Sequence, residues 1–189
     1  LSTKPSHKFE SRDQVVETMR QKRNLSGGDL SGLDLSGLKF IGIKMWGTNL
    51  SDANLSRALL VGVDLTEGNL TNARLDAARI IGANLQGVNA QGASLRAVNA
   101  NGVNLKDADL RGADLSASKW VGVNVQGADW GDVKTHGARA AGVEWSKARR
   151  PPDQIPASLP TPPPWLPALA AGVVVWVLIL IVKKKRAAH

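Results

Sequence analysis

The chain has 189 residues, no cysteine and a formal net charge of +8. Without cysteine it can build neither a disulfide framework nor a thiolate metal site. The basic total raises the question of nucleic acid, but residues 25–148 hold 12 Lys/Arg and 12 Asp/Glu, so the excess sits at the two ends and the body carries no net charge.

Residues 1–10 read as a lead-in. Residues 11–22 read as a short helix, with Ser11 as N-cap and Gln14 three positions on in a capping-box pattern. Val15, Val16 and Met19 form its apolar stripe, joined by Phe9. A repeat array needs its open ends closed, so residues 1–24 are expected to cap the first repeats.

From residue 23 to residue 147 the sequence repeats every five positions without insertion or deletion. The centres fall on Leu25, Leu30, Leu35, Phe40, Met45, Leu50 and onward to Trp120, Val125, Trp130, Thr135, Ala140 and Trp145. Two positions before each centre sits a second, mostly small apolar residue, as at Ala53, Ala58, Val63, Ala73 and Ala78. Polar residues separate the two, so both point the same way, as on a strand. Gly often stands two positions after the centre, where a tight corner with positive φ is needed. A short extended piece and then a corner, repeated many times, closes into a solenoid whose inward side chains stack in columns.

Ala53-Asn54-Leu55-Ser56-Arg57, Ala83-Asn84-Leu85-Gln86-Gly87, Ala108-Asp109-Leu110-Arg111-Gly112 and Ala113-Asp114-Leu115-Ser116-Ala117 resemble the pentapeptide-repeat family, whose consensus is A(D/N)LxX. The resemblance covers about two thirds of the chain and implies an all-β fold, a right-handed quadrilateral β-helix with four pentads to a coil. Residues 25–148 would then make about six coils. Family membership implies a fold and not an activity.

After Trp145 the pattern stops. Residues 149–164 form a Pro-rich linker, extended and semi-rigid. Residues 165–182 are uncharged and, as a helix, would span roughly 27 Å, close to the hydrocarbon thickness of a bilayer. This segment is expected to be one C-terminal transmembrane helix, with Trp165 at an interface and Val173, Trp176 and Leu178 in the span. Residues 183–189 form a basic tail through Lys183, Lys184, Lys185 and Arg186. Basic residues gather on the cytoplasmic side, so the tail is expected there and the solenoid outside the cytoplasm, in a periplasmic or similar compartment. A tail-anchored protein with a cytoplasmic solenoid is the alternative. A first residue of Leu1 fits removal of a targeting peptide and fits truncation equally.

No constellation for chemistry emerges. His7 and His136 are isolated, and His189 is the last residue. Asp29, Asp34, Asp109 and Asp114 occupy the polar position of the repeat itself. Neither an enzyme nor a cofactor, metal ion, small-molecule substrate or nucleic acid is expected.

A longer period carries the functional signal. If four pentads make one turn, residues twenty apart stack on one wall. Three walls carry polar residues just after the centre. The fourth carries Ile41, Val61, Ile81, Asn101, Val121 and Ala141. Just before the centre the same wall holds Lys39, Leu59, Arg79, Asn99, Lys119 and Arg139, and its corners are glycine in every turn. An exposed apolar strip of this kind marks an interaction surface. The expected partner-binding residues are therefore Ile41, Val61, Ile81 and Val121, edged by Lys39, Leu59, Arg79, Lys119 and Arg139.

The resulting expectation is a non-catalytic, membrane-anchored scaffold: an accessory or assembly subunit of a larger membrane complex, touching lipid through its C-terminal helix. One alternative is a free-standing anchored adaptor with transient partners. Another comes from the family resemblance, a DNA-mimicking protector of topoisomerases, which requires an acidic rod that residues 25–148 do not provide.

Overall fold

The computed structural model describes residues 7–159. In chain order the elements are β1 (His7–Lys8), α1 (Arg12–Lys22), β2 (Gly28–Asp29), β3 (Lys39–Ile41), β4 (Leu59–Val61), β5 (Arg79–Ile81), β6 (Asn99–Asn101), β7 (Lys119–Val121), β8 (Arg139–Ala141), a 3-10 turn (Trp145–Lys147) and β9 (Ala157–Ser158). β3 to β9 form one parallel seven-stranded sheet in sequence order. From β3 to β8 the register advances by twenty residues, as in Lys39 opposite Leu59 and Leu59 opposite Arg79. Three further ladders of parallel bridges run through Asn24–Lys44–Asp64, Asp29–Asn49–Asn69 and Asp34–Asn54–Arg74. Four ladders five residues apart define a four-walled parallel solenoid.

The hydrogen bonds of one pentad explain why five residues suffice. In residues 48–52 the Thr48 N–H donates back to Met45 O within the turn (3.1 Å), Asn49 N–H to Gly28 O of the preceding turn (2.9 Å), and Leu50 N–H to Asn69 O of the next (2.7 Å). Asp52 N–H donates to Thr71 O of the next turn (2.9 Å). The remaining donor, Ser51 N–H, goes to the Asn49 side-chain oxygen (3.2 Å). Every backbone N–H of the pentad therefore has an acceptor. The Asn/Asp preference before the centre is a turn-forming device. It also links turns: Asn49 Nδ2 donates to Asp29 Oδ1 (2.9 Å), and Asn104 Nδ2 donates to Asn84 Oδ1 (2.9 Å).

Both inward positions are buried as the pattern requires from Phe40 through Ala53, Leu55 and Ala58 to Trp130, while in the first turn Leu30 and Leu35 are buried and Leu33 and Leu38 partly so. Trp120 is 2% exposed. Its neighbours one turn away are Ala100 and Ala140, so small residues flank the large one. The indole N–H donates to Ser118 Oγ (2.6 Å), and the Ser118 hydroxyl in turn donates to Leu115 O. Trp120, Trp130 and Trp145 continue as edge-to-face pairs with centroids 5.7 Å and 5.1 Å apart.

At the N-terminal end α1 closes the first turn. Ser11 Oγ accepts from Gln14 N–H (3.3 Å), and Gln14 Oε1 accepts from Glu10 N–H (2.8 Å), one residue earlier than a capping box would have it. Val15 and Phe9 are buried and Met19 packs partly against the core. Val16 does not join that stripe: it is 37% exposed, because its neighbour Val15 takes the core-facing direction.

The C-terminal end departs from the expected pattern. The 3-10 turn at Trp145–Lys147 ends the pentad register, and Asp129 pairs with Arg150, one residue later than the repeat would place it. Trp145 is only partly buried. Residues 149–158, expected to begin the linker, pack on the last turn: Pro152 and Pro156 are buried, Thr135 Oγ1 donates to Gln154 O (2.9 Å), and β9 pairs with β8. Proline lacks an N–H and suits an edge position, so a Pro-rich segment can finish a sheet that another strand could not extend.

The remainder of the linker, the anchor expected over 165–182 and the tail at 183–189 lie outside the described residues, as do residues 1–6. Among the described residues no helix is long and apolar enough to cross a membrane.

Candidate interaction surface

Three of the four walls consist of turns joined by single bridges, and the fourth alone carries three-residue strands along its length. On the fourth wall the residue before the centre is Lys39, Leu59, Arg79, Lys119 or Arg139, with Asn99 the one exception. Lys44, Arg74 and Lys134 stand at the same position on other walls and form only single bridges, so the lack of a side-chain acceptor does not by itself make a strand.

On these strands the central residue is buried and its two neighbours face outward. The structure thus brings the sequence-predicted residues into two parallel lanes, about 6.6 Å apart across a strand. One lane is Ile41, Val61, Ile81, Val121 and Ala141, interrupted by Asn101; the other is Lys39, Leu59, Arg79, Asn99, Lys119 and Arg139. Ile41 is 48% exposed, while Val61, Ile81 and Val121 are half-buried because lane neighbours cover their flanks.

Beside the apolar lane the corners are Gly42, Gly62, Gly82, Gly102, Gly122 and Gly142, with φ between +57° and +62°. Corners of the other walls have the same φ without glycine, as at Asp52 (+59°), Arg57 (+60°), Glu67 (+56°) and Ala97 (+55°). A Cβ at Gly62, Gly82, Gly102 or Gly122 would meet nothing within 4 Å. Left-handed φ favours glycine everywhere in this solenoid. Since other corners accept Asp, Arg, Glu and Ala, backbone geometry alone does not account for uniform glycine here. Its effect is a flat, side-chain-free lane.

The charges differ in the same way. The fourth wall carries Lys39, Arg79, Lys119 and Arg139 and no acidic residue. None of the four forms an ion pair with a described residue. Elsewhere Arg74, Arg96, Arg111, Arg149 and Arg150 each meet an aspartate, while Lys44, Arg57, Lys106 and Lys134 form no ion pair among the described residues, so it is the lack of any acidic residue that sets the fourth wall apart. The neutral total of residues 25–148 therefore conceals a basic wall, a distribution that a summed charge cannot reveal.

The surface extends further than the sequence reading placed it. Val16, Met19 and Arg20 of α1, with Arg23, border a shallow depression shared with Lys39 and Ile41. Arg23 Nη2 donates to Ile41 O (2.7 Å), occupying the carbonyl where the sheet would otherwise have an open edge. The available signal was Val16, a β-branched residue adjacent to the core position Val15. Two other large apolar side chains, Trp46 and Ile155, are exposed away from the two lanes. Among the described residues no group of His, Asp and Glu stands close enough to hold a metal ion.

The aspartates before the centre act structurally. The Arg111 guanidinium, bonded to Asp109 Oδ2 at 2.7 Å, holds that carboxyl below its ordinary 3.8, despite partial burial. At Asp76, which follows the centre Leu75, burial pushes the carboxyl up, but the Ser94 hydroxyl and Arg96 outweigh it and the net direction is downward. A carboxyl lowered in the folded state contributes stability above its unfolded value that is lost as pH falls through the folded one. Asp109→Asn should therefore lower the melting temperature at about pH 7 and narrow the gap between melts at about pH 7 and about pH 2. Circular-dichroism melts check this; an unchanged gap would refute the linkage.

A twenty-residue turn made of four five-residue units, each with the same hydrogen-bond scheme, agrees with the sequence comparisons. The family model described as Pentapeptide repeats (8 copies) matches residues 24–57, 47–80 and 78–116. The chain belongs to the pentapeptide-repeat family. No curated protein matches it at a significant level. Among solved structures, this pentapeptide-repeat protein is similar to HetL, a pentapeptide repeat protein involved in heterocyst differentiation regulation from the cyanobacterium Nostoc sp. strain PCC 7120, with 23% identity over 70% of this chain and 80% of that one and a TM-score of 0.39. It is similar to full-length QnrB1, a plasmid-mediated fluoroquinolone resistance protein, with 20% identity over 76% and 77% of the two chains and a TM-score of 0.39. It is also similar to alr5209, a pentapeptide repeat protein from Nostoc, with 27% identity over 59% and 84% and a TM-score of 0.34.

Proposed function

We propose that this pentapeptide-repeat protein is a non-catalytic scaffold that holds a protein partner against the fourth wall of its solenoid, as an accessory or assembly subunit of a membrane complex. The observation that carries the reading is the unbroken glycine lane beside the apolar lane, at a φ that other walls give to Asp, Arg, Glu and Ala. A lane without side chains lets another backbone approach closely, and the adjoining strip of Ile41, Val61, Ile81 and Val121 offers apolar area to bury. The membrane part rests on the uncharged run 165–182 and its basic flank. An anchor keeps the solenoid near membrane partners and raises their effective concentration. The same flank favours a cytoplasmic tail and an extracytoplasmic solenoid. An alkaline-phosphatase fusion at the N-terminal side should then be active and one at the tail inactive; the opposite result supports the tail-anchored orientation.

Purification of the full chain in mild detergent tests the assembly role. A stoichiometric complex with membrane proteins is expected, with the fourth wall protected from hydrogen exchange. A lone monomer overturns it in favour of a free-standing adaptor. Recovery of a topoisomerase would favour the DNA-mimic alternative, which the basic wall disfavours.

A further inference from the structure

We propose that the fourth wall receives an acidic amphipathic α-helix of the partner, lying along the solenoid axis. Its apolar stripe would rest on Ile41, Val61 and Ile81 and its carboxylates on Lys39, Arg79 and Lys119. The inference rests on the docking reading above and specifies the partner's chemistry.

The charge of the wall calls for an acidic partner. Lys39, Arg79, Lys119 and Arg139 are the only charged residues of the wall, all cationic and all without an ion-pair partner among the described residues. Complementary potential is the rule across specific interfaces, so the missing counter-charge belongs to the molecule that docks there. Residues 154–189 do not supply it, since they hold no acidic residue and carry Lys183, Lys184, Lys185 and Arg186. Nor does the helix of a second copy, since α1 carries Arg12, Arg20 and Lys22 beside Asp13 and Glu17.

The pitch of the solenoid suits an axial helix. Parallel strands of successive turns lie about 4.8 Å apart, and an α-helix rises about 5.4 Å per turn, so an axial helix meets roughly one solenoid turn with each of its own. Three of the four cations, Lys39, Arg79 and Lys119, occupy alternate turns with Leu59 and Asn99 between them, and Arg139 follows Lys119 on the next turn, outside that alternation. Two solenoid turns span about 9.6 Å and one heptad about 10.5 Å, so an acidic residue once per heptad keeps step with Lys39, Arg79 and Lys119 to within about 2 Å. Flexible Lys and Arg side chains absorb that drift. Within each heptad the two apolar positions meet the apolar lane, which presents one residue per turn. Asn101 then requires a polar residue at the matching apolar position, a register marker of the kind a buried Asn supplies in coiled coils. The glycine lane leaves room for the helix backbone on the other flank.

The test uses a fluorescent peptide of about four heptads, leucine at the two apolar positions and glutamate on the flank, and a twin with lysine for glutamate. Anisotropy is measured against the full chain in mild detergent, with detergent alone as background. The glutamate peptide should bind at least about tenfold more tightly than its twin. The double variant Arg79→Glu, Lys119→Glu should reverse that preference while its circular dichroism stays unchanged, because both side chains point away from the core. Equal binding of the two peptides, no binding, or an unreversed preference overturns the inference. Phosphatidylserine vesicles bound in preference to the peptide, and released by the same double variant, would assign the basic lane to a membrane and overturn it as well. The two proposals fail separately. A native partner that covers Ile81 with a strand or a basic surface removes the helix and leaves docking intact, whereas a native complex that leaves Ile81 in water removes docking itself.

Discussion

Trp120→Ala should lower the unfolding free energy by about 3–5 kcal/mol, the range for deleting a fully buried aromatic side chain. Trp120 is 2% exposed and is stacked in its column between Ala100 and Ala140. Neither alanine can expand into the space, and the turns are locked by hydrogen bonds on four ladders, so the wall cannot collapse inward. The edge-to-face contact with Trp130 is lost as well, which adds to the area term. Ser118→Ala separates the polar part of this effect. It leaves the indole N–H buried without its acceptor and should cost about 1–3 kcal/mol. Urea unfolding monitored by circular dichroism gives both numbers. A Trp120→Ala loss below that of Ser118→Ala would mean that the cavity is filled by rearrangement and that the column is softer than its hydrogen bonding indicates.

Ile81→Asp should abolish or sharply weaken association with the partner while leaving the solenoid folded. The side chain faces outward between Val61 and the Asn101 turn, so a carboxylate there stays hydrated in the free chain. In a complex it would have to be buried against an apolar surface, where an unpaired charge is costly. Ser56 and Gln91 lie on other walls, and their replacement by alanine should change association little. Co-purification with each variant, alongside thermal melts, distinguishes a lost interface from a lost fold. Retained association of the Ile81→Asp variant would show that the apolar lane is only the strand propensity of β-branched residues.

The solenoid was legible because its repeat is local and strict. A centre on every fifth residue from Leu25 to Ala140 leaves one way to bury both inward positions, and the observed burial agrees with it. Trp120 shows how far that reading extends: its neighbours Ala100 and Ala140 come from counting twenty residues in each direction. The candidate surface was legible on the same count, since Ile41, Val61 and Ile81 stack in register once four pentads make a turn. The ends were not. Residues 149–158 read as a free linker because proline normally interrupts regular structure, yet Pro152 and Pro156 are buried on the last turn. Val16 read as core because Val15, Val16 and Met19 share one side of a short helix, and only docking on the first turn selects which of them is covered.

By itself the sequence determined the period, the inward residues, the N-terminal cap and the stacking of an apolar column beside a basic one, because each depends on spacing along the chain. The tertiary structure alone decided three other matters. It placed the Asn and Asp side chains on the N–H groups two positions on and on the turns before them, showing that their recurrence serves the backbone. It gave Asp52, Arg57 and Ala97 the same corner conformation as the glycines, which separates glycine required by φ from glycine that keeps a wall flat. It placed Lys39, Arg79, Lys119 and Arg139 on a wall without an acidic residue, with no ion pair among the described residues, while Arg74, Arg96, Arg111, Arg149 and Arg150 found aspartates. Some of these relations are local, as in Asn49 with Ser51 or Arg111 with Asp109, and others join residues about twenty positions apart, as in Asn49 with Asp29 or Arg96 with Asp76; all depend on the backbone conformation and on which side chains the closed turns bring within reach.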